Sequence, residues 1–209
     1  MSTKDKMIES QLKGRDITDE DVLDAMKEVE RKLFIPEDKK DKAYEDNPLP
    51  IGKSQTISQP YIVAYMAQEL NLNQDDTVLE IGTGCGYNAA VLSRLVKKVY
   101  SIEIIEGLSN LAMENIEKTD YENIETKHGD GYDGWPEKGP YDAIQLTAAP
   151  TKIPEKLKKQ LKIGGKLLAP VGTTSQKLVR IERLGEDEYK EETLLMVRFV
   201  PMTGQAENK

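Results

Sequence analysis

Cysteine, histidine and tryptophan are nearly absent from this chain: one of each, Cys85, His128 and Trp135, in 209 residues. A lone cysteine allows no internal disulfide, which fits a reducing compartment. One histidine and one cysteine are too few for a structural zinc centre, so no metal is expected. No apolar run approaches the ~18–20 residues of a membrane span. The opening "MSTKDKMIESQLKGRD" lacks the apolar stretch of a secretory signal, so a cytoplasmic protein without a membrane is expected. Positive charge is also short. Against 37 acidic residues stand 29 basic ones, a formal charge of −8. Proteins that grip phosphate backbones are usually basic, so nucleic acid is a disfavoured partner. There is no internal repeat and no low-complexity tract, and the length suits one domain, 1–209.

What is present divides near residue 70. "ITDEDVLDAMKEVERKLF" (17–34) reads as an amphipathic helix with Thr18 as N-cap and Val22, Ala25, Met26, Val29 and Leu33 on one face. Residues 35–60 read as an irregular segment, with Pro36, Pro48, Pro50 and Pro60. Long structureless segments in compact domains are often functional. "SQPYIVAYMAQEL" (58–70) reads as a helix with Ser58 as N-cap and Pro60 in its first turn. Beyond residue 75, strands are expected near 77–81, 98–103, 123–127, 141–147, 166–171, 178–184 and 194–200, and helices near 87–96, 105–118 and 154–162. Such alternation implies a mostly parallel sheet covered on both faces, with the last two strands as an antiparallel hairpin at its edge.

"VLEIGTGCGY" (78–87) joins the first of these strands to a helix through Gly82, Gly84 and Gly86. Glycine permits close approach of backbone to ligand. Ligands of open α/β sheets sit where such a turn lies, beyond the carboxyl ends of the strands. The dinucleotide fingerprint would put its third glycine at Tyr87, and no Lys-Ser/Thr follows as in a phosphate loop. An acid, Glu80, precedes the turn. Dense glycines with acids suit a ligand bearing a cation and ribose hydroxyls, and S-adenosylmethionine fits better than a dinucleotide. Glu103 ends the next strand, placed to accept from both ribose hydroxyls. Asp130 of "HGDG" ends the third, placed for an adenine amino group, with Gly131 leaving room for the ring. Each acid alone also reads as a solvated strand end; the ordered trio is more specific.

These residues resemble the protein-L-isoaspartate(D-aspartate) O-methyltransferases. The resemblance runs from about residue 7 to 204, through "AYEDNPLPIG", "QTISQPYIVAYM", "VLEIGTGCGYNAAVLSRLV", "VYSIE", "HGDG", "PYDAIQLTAAP", "QLKIGGKLLAPVG" and "VRFVPMTG". The glycine turn alone would indicate only a methyltransferase; the "QTIS-x-P" segment singles out this family. The resemblance implies a Rossmann-like α/β fold with a mostly parallel seven-stranded sheet and extra N-terminal helices. Residues 1–70 are expected to hold the N-terminal helices and a substrate- and cofactor-covering segment, with the Pro-rich 44–60 stretch as the cover, ahead of a cofactor-binding core, 71–209. The resemblance implies Ser58 as the active-site serine and Gln55, Thr56 and Ile57 as cofactor-covering neighbours. Gly82, Thr83, Gly84 and Gly86, after Glu80, match the cofactor turn. Glu103 matches the ribose acid, Asp130 and Gly131 the adenine side, and Thr203 a position that reaches the cofactor in some relatives. Ser54 departs from the pattern, since many relatives carry glycine there.

The implied reaction moves the methyl group of S-adenosylmethionine to the carboxylate of isoaspartyl and D-aspartyl sites in damaged proteins and peptides. The ester then closes to a succinimide, whose hydrolysis returns some normal aspartate. A carboxylate of pKa ~4 is already ionised, so no general base is needed. Ser58 then acts as a hydrogen-bond donor, without a nucleophile motif around it. Positioning of the reacting atoms, which can contribute ~7–11 kcal/mol, and exclusion of water are left to supply the rate. Other readings stay open at this point: a methyltransferase of RNA, DNA or a small molecule, or a binder of S-adenosylmethionine without activity. Base-methylating enzymes carry an Asn/Asp-Pro-Pro-aromatic turn where this chain has "TAAP" (147–150). A monomer is expected. Cys85 reads as a turn filler, His128 as a bystander and Trp135 as a loop anchor.

Overall fold

A computed structural model describes residues 3–208, so residues 1, 2 and 209 of the expected 1–209 domain lie outside it. A seven-stranded sheet runs in the order β5-β4-β3-β6-β7-β8-β9. Its strands are β3 (Thr77–Ile81), β4 (Lys98–Glu103), β5 (Ile124–His128), β6 (Tyr141–Leu146), β7 (Leu161–Gly172), β8 (Gln176–Arg183) and β9 (Tyr189–Val197). The pairs β5-β4, β4-β3, β3-β6 and β6-β7 are parallel, and β7-β8 and β8-β9 antiparallel. Strand order reverses at β3, which has β4 on one side and β6 on the other. Such switch points are where open α/β sheets bind ligands.

Buried strands alternate between two apolar layers, as the two-residue side-chain period requires. Val78, Val99, Ala143, Leu168 and Leu178 join one cluster; Leu79, Ile102, Ile144, Leu167 and Val179 join the other. The first layer holds the N-terminal helices, α3 (Pro60–Leu70) and α4 (Tyr87–Ser93). α5 (Glu106–Ile116) follows β4, and α6 (Glu155–Lys159) precedes β7.

The N-terminal part departs most from expectation. α1 (Thr3–Lys6) runs into a π-helical segment, Met7–Lys13, which buries Met7, Ile8 and Leu12. The helix expected over 17–34 is only α2, Glu20–Glu28. Its cap is Asp19, not Thr18, because Asp19 Oδ1 accepts from the N–H groups of Asp21 and Val22. The Thr18 N–H is instead held by Gln68 Oε1 at 2.8 Å. Val29 turns extended and buried, a 3-10 turn over Arg31–Phe34 follows, and Leu33 ends up exposed rather than on the apolar face. Ser58 does not cap α3. Gln59 holds the cap position without a side-chain bond, and Pro60 opens the helix.

Residues 35–60 are not irregular throughout. β1 (Leu49–Gly52) and β2 (Gln55–Ile57) form an antiparallel hairpin, with Leu49 opposite Ile57. Lys53 and Ser54 make its tip, both in the left-handed region at φ 52° and 58°. At the other end of the chain β9 begins at Tyr189, earlier than expected, which confines the acidic turn to 184–188. β7 likewise begins at Leu161 and shortens the helix before it.

Candidate active site

A cavity of about 830 Å³ opens beyond the carboxyl ends of β3, β4 and β5. Gly82 begins its floor with φ +100°, and a Cβ there would collide with Thr147 Oγ1. Thr147 Oγ1 in turn donates to the Gly82 carbonyl at 2.5 Å, so the turn after β3 and the loop after β6 are locked together. Gly131 lies flat on Ile81: an added Cβ would stand 2.5 Å from Ile81 Cγ2.

The two strand-end acids are braced by backbone. Glu103, 5% exposed, accepts from the N–H of Gly84 at 2.8 Å and of Ile105 at 2.9 Å. Asp130 accepts from the N–H of Tyr132 at 2.9 Å and of Gln205 at 2.9 Å. Each carboxylate oxygen keeps a further lone pair, so both acids can still accept hydroxyl or amino donors from a ligand. That donor-accepting pair, with the flat glycine floor between them, fits the ribose and adenine of S-adenosylmethionine.

The cavity brings together Gln55, Thr56, Ile57, Ser58, Gly82, Thr83, Gly84, Glu103, Asp130, Gly131 and Thr203, all expected from the sequence. It does not reach Glu80 or Gly86. Gly86 opens α4 from the left-handed region. Glu80 lies fully buried behind the turn, because the parallel register sets it beside Ser101 on β4 and Gln145 on β6, on one face of the sheet. Its carboxylate accepts from Ser101 Oγ and, at 2.7 Å, from Asn88 Nδ2. Gln145 Nε2 donates to Asn88 Oδ1 at 3.2 Å, and Thr83 Oγ1 meets Ser101 Oγ at 2.6 Å. Burial, aided by the charge of Glu103, pushes the Glu80 carboxyl up to about 7 against those hydrogen bonds. Glu80 therefore braces the turn from behind.

Sequence reasoning missed Thr147, Ala148 and the Val200–Met202 wall. That wall is pinned to the loop after β6 by Ala149 N–H to the Val200 carbonyl and Met202 N–H to the Ala149 carbonyl, both at 2.8 Å. The sequence signals were "TAAP", ending a strand beside the glycine turn, and "VRFVPMTG", which holds Val200–Met202. Cys85 also lines the cavity; burial pushes its thiol up to about 11, so it stays protonated at neutral pH. His128 lies outside the cavity, with Nε2 3.1 Å from the Ile104 carbonyl. Trp135 packs edge-on to Tyr100 at 5.5 Å and anchors its loop.

A second, open groove of about 1030 Å³ adjoins the first. Pro48, Ile62, Met196 and Phe199 give it apolar walls, with Arg198 among them. Thr56, Ser58, Thr147 and Val200 line both spaces. The Ser58 hydroxyl makes no hydrogen bond among the described residues, and so is free to serve a ligand at this junction.

The profile of the protein-L-isoaspartate(D-aspartate) O-methyltransferase family matches residues 2–207. A Pelobacter propionicus protein called protein-L-isoaspartate O-methyltransferase 2 is 53% identical, over 95% of this chain and 89% of its own length. A protein-L-isoaspartate O-methyltransferase of Aliivibrio salmonicida is 48% identical, over 97% of both chains. Among solved structures, a protein-L-isoaspartate O-methyltransferase superposes with TM-score 0.88 at 30% identity, over 97% of this chain and 67% of the other. A Plasmodium falciparum protein described as a beta-aspartate methyltransferase, in complex with S-adenosyl-L-homocysteine, gives 0.86 at 27% identity, over 97% and 99%. With its site assembled on the switch point of the sheet and nearly its whole length matched, this chain belongs to the protein-L-isoaspartate(D-aspartate) O-methyltransferase family.

Proposed function

We propose that Ser58 stands where donor and acceptor meet in a repair methyltransferase, and that the sharing of Ser58 between the two cavities carries this assignment. The protein is a methyltransferase that uses S-adenosylmethionine to esterify isoaspartyl carboxylates in damaged proteins. When bound, S-adenosylmethionine supplies an electrophilic methyl group on a sulfonium. Glu103 would hold the ribose hydroxyls, Asp130 and Gly131 the adenine, and Gly82–Gly84 the amino-acid end. The β1-β2 hairpin covers the cavity, and Ile51 reaches over Gly84, where an added Cβ would meet its Cδ1 at 3.5 Å. That cover excludes water from a site where opposite charges react.

The Ser58 hydroxyl would donate a hydrogen bond to one oxygen of the substrate carboxylate in the groove and leave the other free to attack. No residue need remove a proton, since the substrate arrives ionised. The open, apolar-walled groove suits an exposed, extended peptide carrying the damaged residue. The acidic net charge supports a reading without nucleic acid, and the single buried cysteine supports a reducing cytoplasm. An unbroken apolar cluster from Met7 to Leu178 supports one domain with residues 1–70 packed on 71–209. Among the described residues no helix is long and apolar enough to cross a membrane.

The test uses labelled S-adenosylmethionine and paired peptides that differ only in an aspartyl or isoaspartyl linkage. Base-labile label should enter the isoaspartyl peptide alone; equal labelling of both, or of neither, refutes the assignment. Ser58→Ala should lower turnover while S-adenosylhomocysteine affinity holds. A collapse of that affinity would make Ser58 a cofactor-binding residue instead of a donor to the substrate carboxylate.

A further inference from the structure

Asp46 lines neither cavity, yet three parts of the site's frame converge on its carboxylate. Oδ1 accepts from the Tyr61 N–H at 3.1 Å. Oδ2 accepts from Gln59 Nε2 at 2.7 Å and Arg15 Nη1 at 3.2 Å. The Arg15 guanidinium also lies 3.3 Å from the centre of the Tyr61 ring, so the turn that precedes α2 is tied to the same point.

The Tyr61 N–H belongs to the first turn of α3, where backbone donors have no partner within the helix. A side chain at the N-cap normally takes such a donor, but Gln59 contributes none. Asp46 caps the helix from across the hairpin, and its negative charge suits the positive end of the helix dipole. Asp46 comes just before β1 and Gln59 just after β2, so their bond closes the hairpin at its base beside the Leu49–Ile57 pair. Ser58 lies between Ile57 and Gln59. It is held on both sides, and with the cap supplied from elsewhere its hydroxyl is not drawn into the helix end.

We propose that Asp46 is a positioning residue for the methyl transfer: it caps α3 in place of Ser58 and fixes the hairpin base, which sets the Ser58 hydroxyl at the junction of the two cavities. This rests on the donor role of Ser58. Wild-type labelling of the isoaspartyl peptide tests the methyltransferase assignment by itself, so the two can fail separately.

The experiment measures kcat on the isoaspartyl peptide and S-adenosylhomocysteine affinity for Asp46→Ala and Asp46→Asn. A misplacement of about 1 Å can cost on the order of a hundredfold in rate, so Asp46→Ala should lower kcat at least ~10-fold. Cofactor-product affinity should stay within about twofold, because the lost function is orientation rather than binding. In Asp46→Asn the remaining oxygen still caps Tyr61 and the amide can donate to Gln59 Oε1, but it cannot accept from Arg15, so kcat should return only in part, above that of alanine. Alanine that keeps wild-type kcat, affinity that falls in step with kcat, or asparagine as impaired as alanine would each overturn the proposal. Should the alanine variant not fold, Arg15→Ala decides by the same readouts. A lower kcat at unchanged affinity supports the proposal, and an unchanged kcat overturns it.

Discussion

Replacing Glu80 with glutamine removes an ionisable group that the fold holds in an unfavourable place. The side chain is fully buried, and its carboxyl is pushed up to about 7, first by burial and then by the nearby charge of Glu103. In the unfolded chain a glutamate titrates near ~4.3. Between those values the folded protein keeps a proton that the unfolded chain has lost. Stability contributed at this site is therefore full below the lower value, falls as pH rises through the window, and levels off above about 7. At ~1.4 kcal/mol per pH unit the full loss amounts to about 4 kcal/mol. Glutamine does not ionise, yet it can accept from Asn88 and donate to Ser101, the two partners of the native carboxylate. Urea unfolding of both proteins, followed by circular dichroism from pH 5 to 8, isolates Glu80 because every other group titrates in both. The stability difference should move in favour of Glu80→Gln by about 2–3 kcal/mol across that range, or roughly 4–12 °C in Tm for a chain of this size. Parallel pH profiles, or a variant that loses ground as pH rises, would refute the account of a buried, elevated carboxyl.

Two further substitutions probe the cover and the cofactor pocket. Ser54→Gly should stabilise the protein by about 0.5 kcal/mol, since glycine relieves ~1–2 kcal/mol of left-handed strain at φ 58° and costs part of it back in chain entropy. A thermal melt checks it, and a loss of stability would show that the Lys53-Ser54 tip is unstrained. Glu103→Gln should lower S-adenosylhomocysteine affinity at least ~10-fold and stability by about 1–2 kcal/mol, because an amide nitrogen cannot accept one of the N–H groups of Gly84 and Ile105. Calorimetric titration at matched pH reads the first effect, and unchanged affinity would remove Glu103 from the ribose site.

Much of this molecule was legible in the order of its residues. The glycine turn sits directly between a strand and the helix that follows it. Glu103 and Asp130 end the next two strands, so their meeting with the turn follows from alternation and parallel pairing alone. The β1-β2 hairpin was not legible, because Pro48 and Pro50 argue against a strand and the Lys53-Ser54 tip carries neither glycine nor asparagine. Glu80 was placed in the cofactor site on proximity to the turn, whereas its carboxylate is buried one layer behind the lining, against Asn88 and Ser101.

Local order along the chain thus decided the fold class, the turn and its two acids, since each depends on residues close in sequence or on strands laid side by side in register. Only tertiary contact decided that Thr147 would lock Gly82 from 65 residues away, that the Val200–Met202 segment would close the cavity, and that Asp46 rather than Ser58 would cap α3. Those pairings answer unsatisfied backbone donors and open apolar surface, and which distant side chain answers them is settled only when the layers pack.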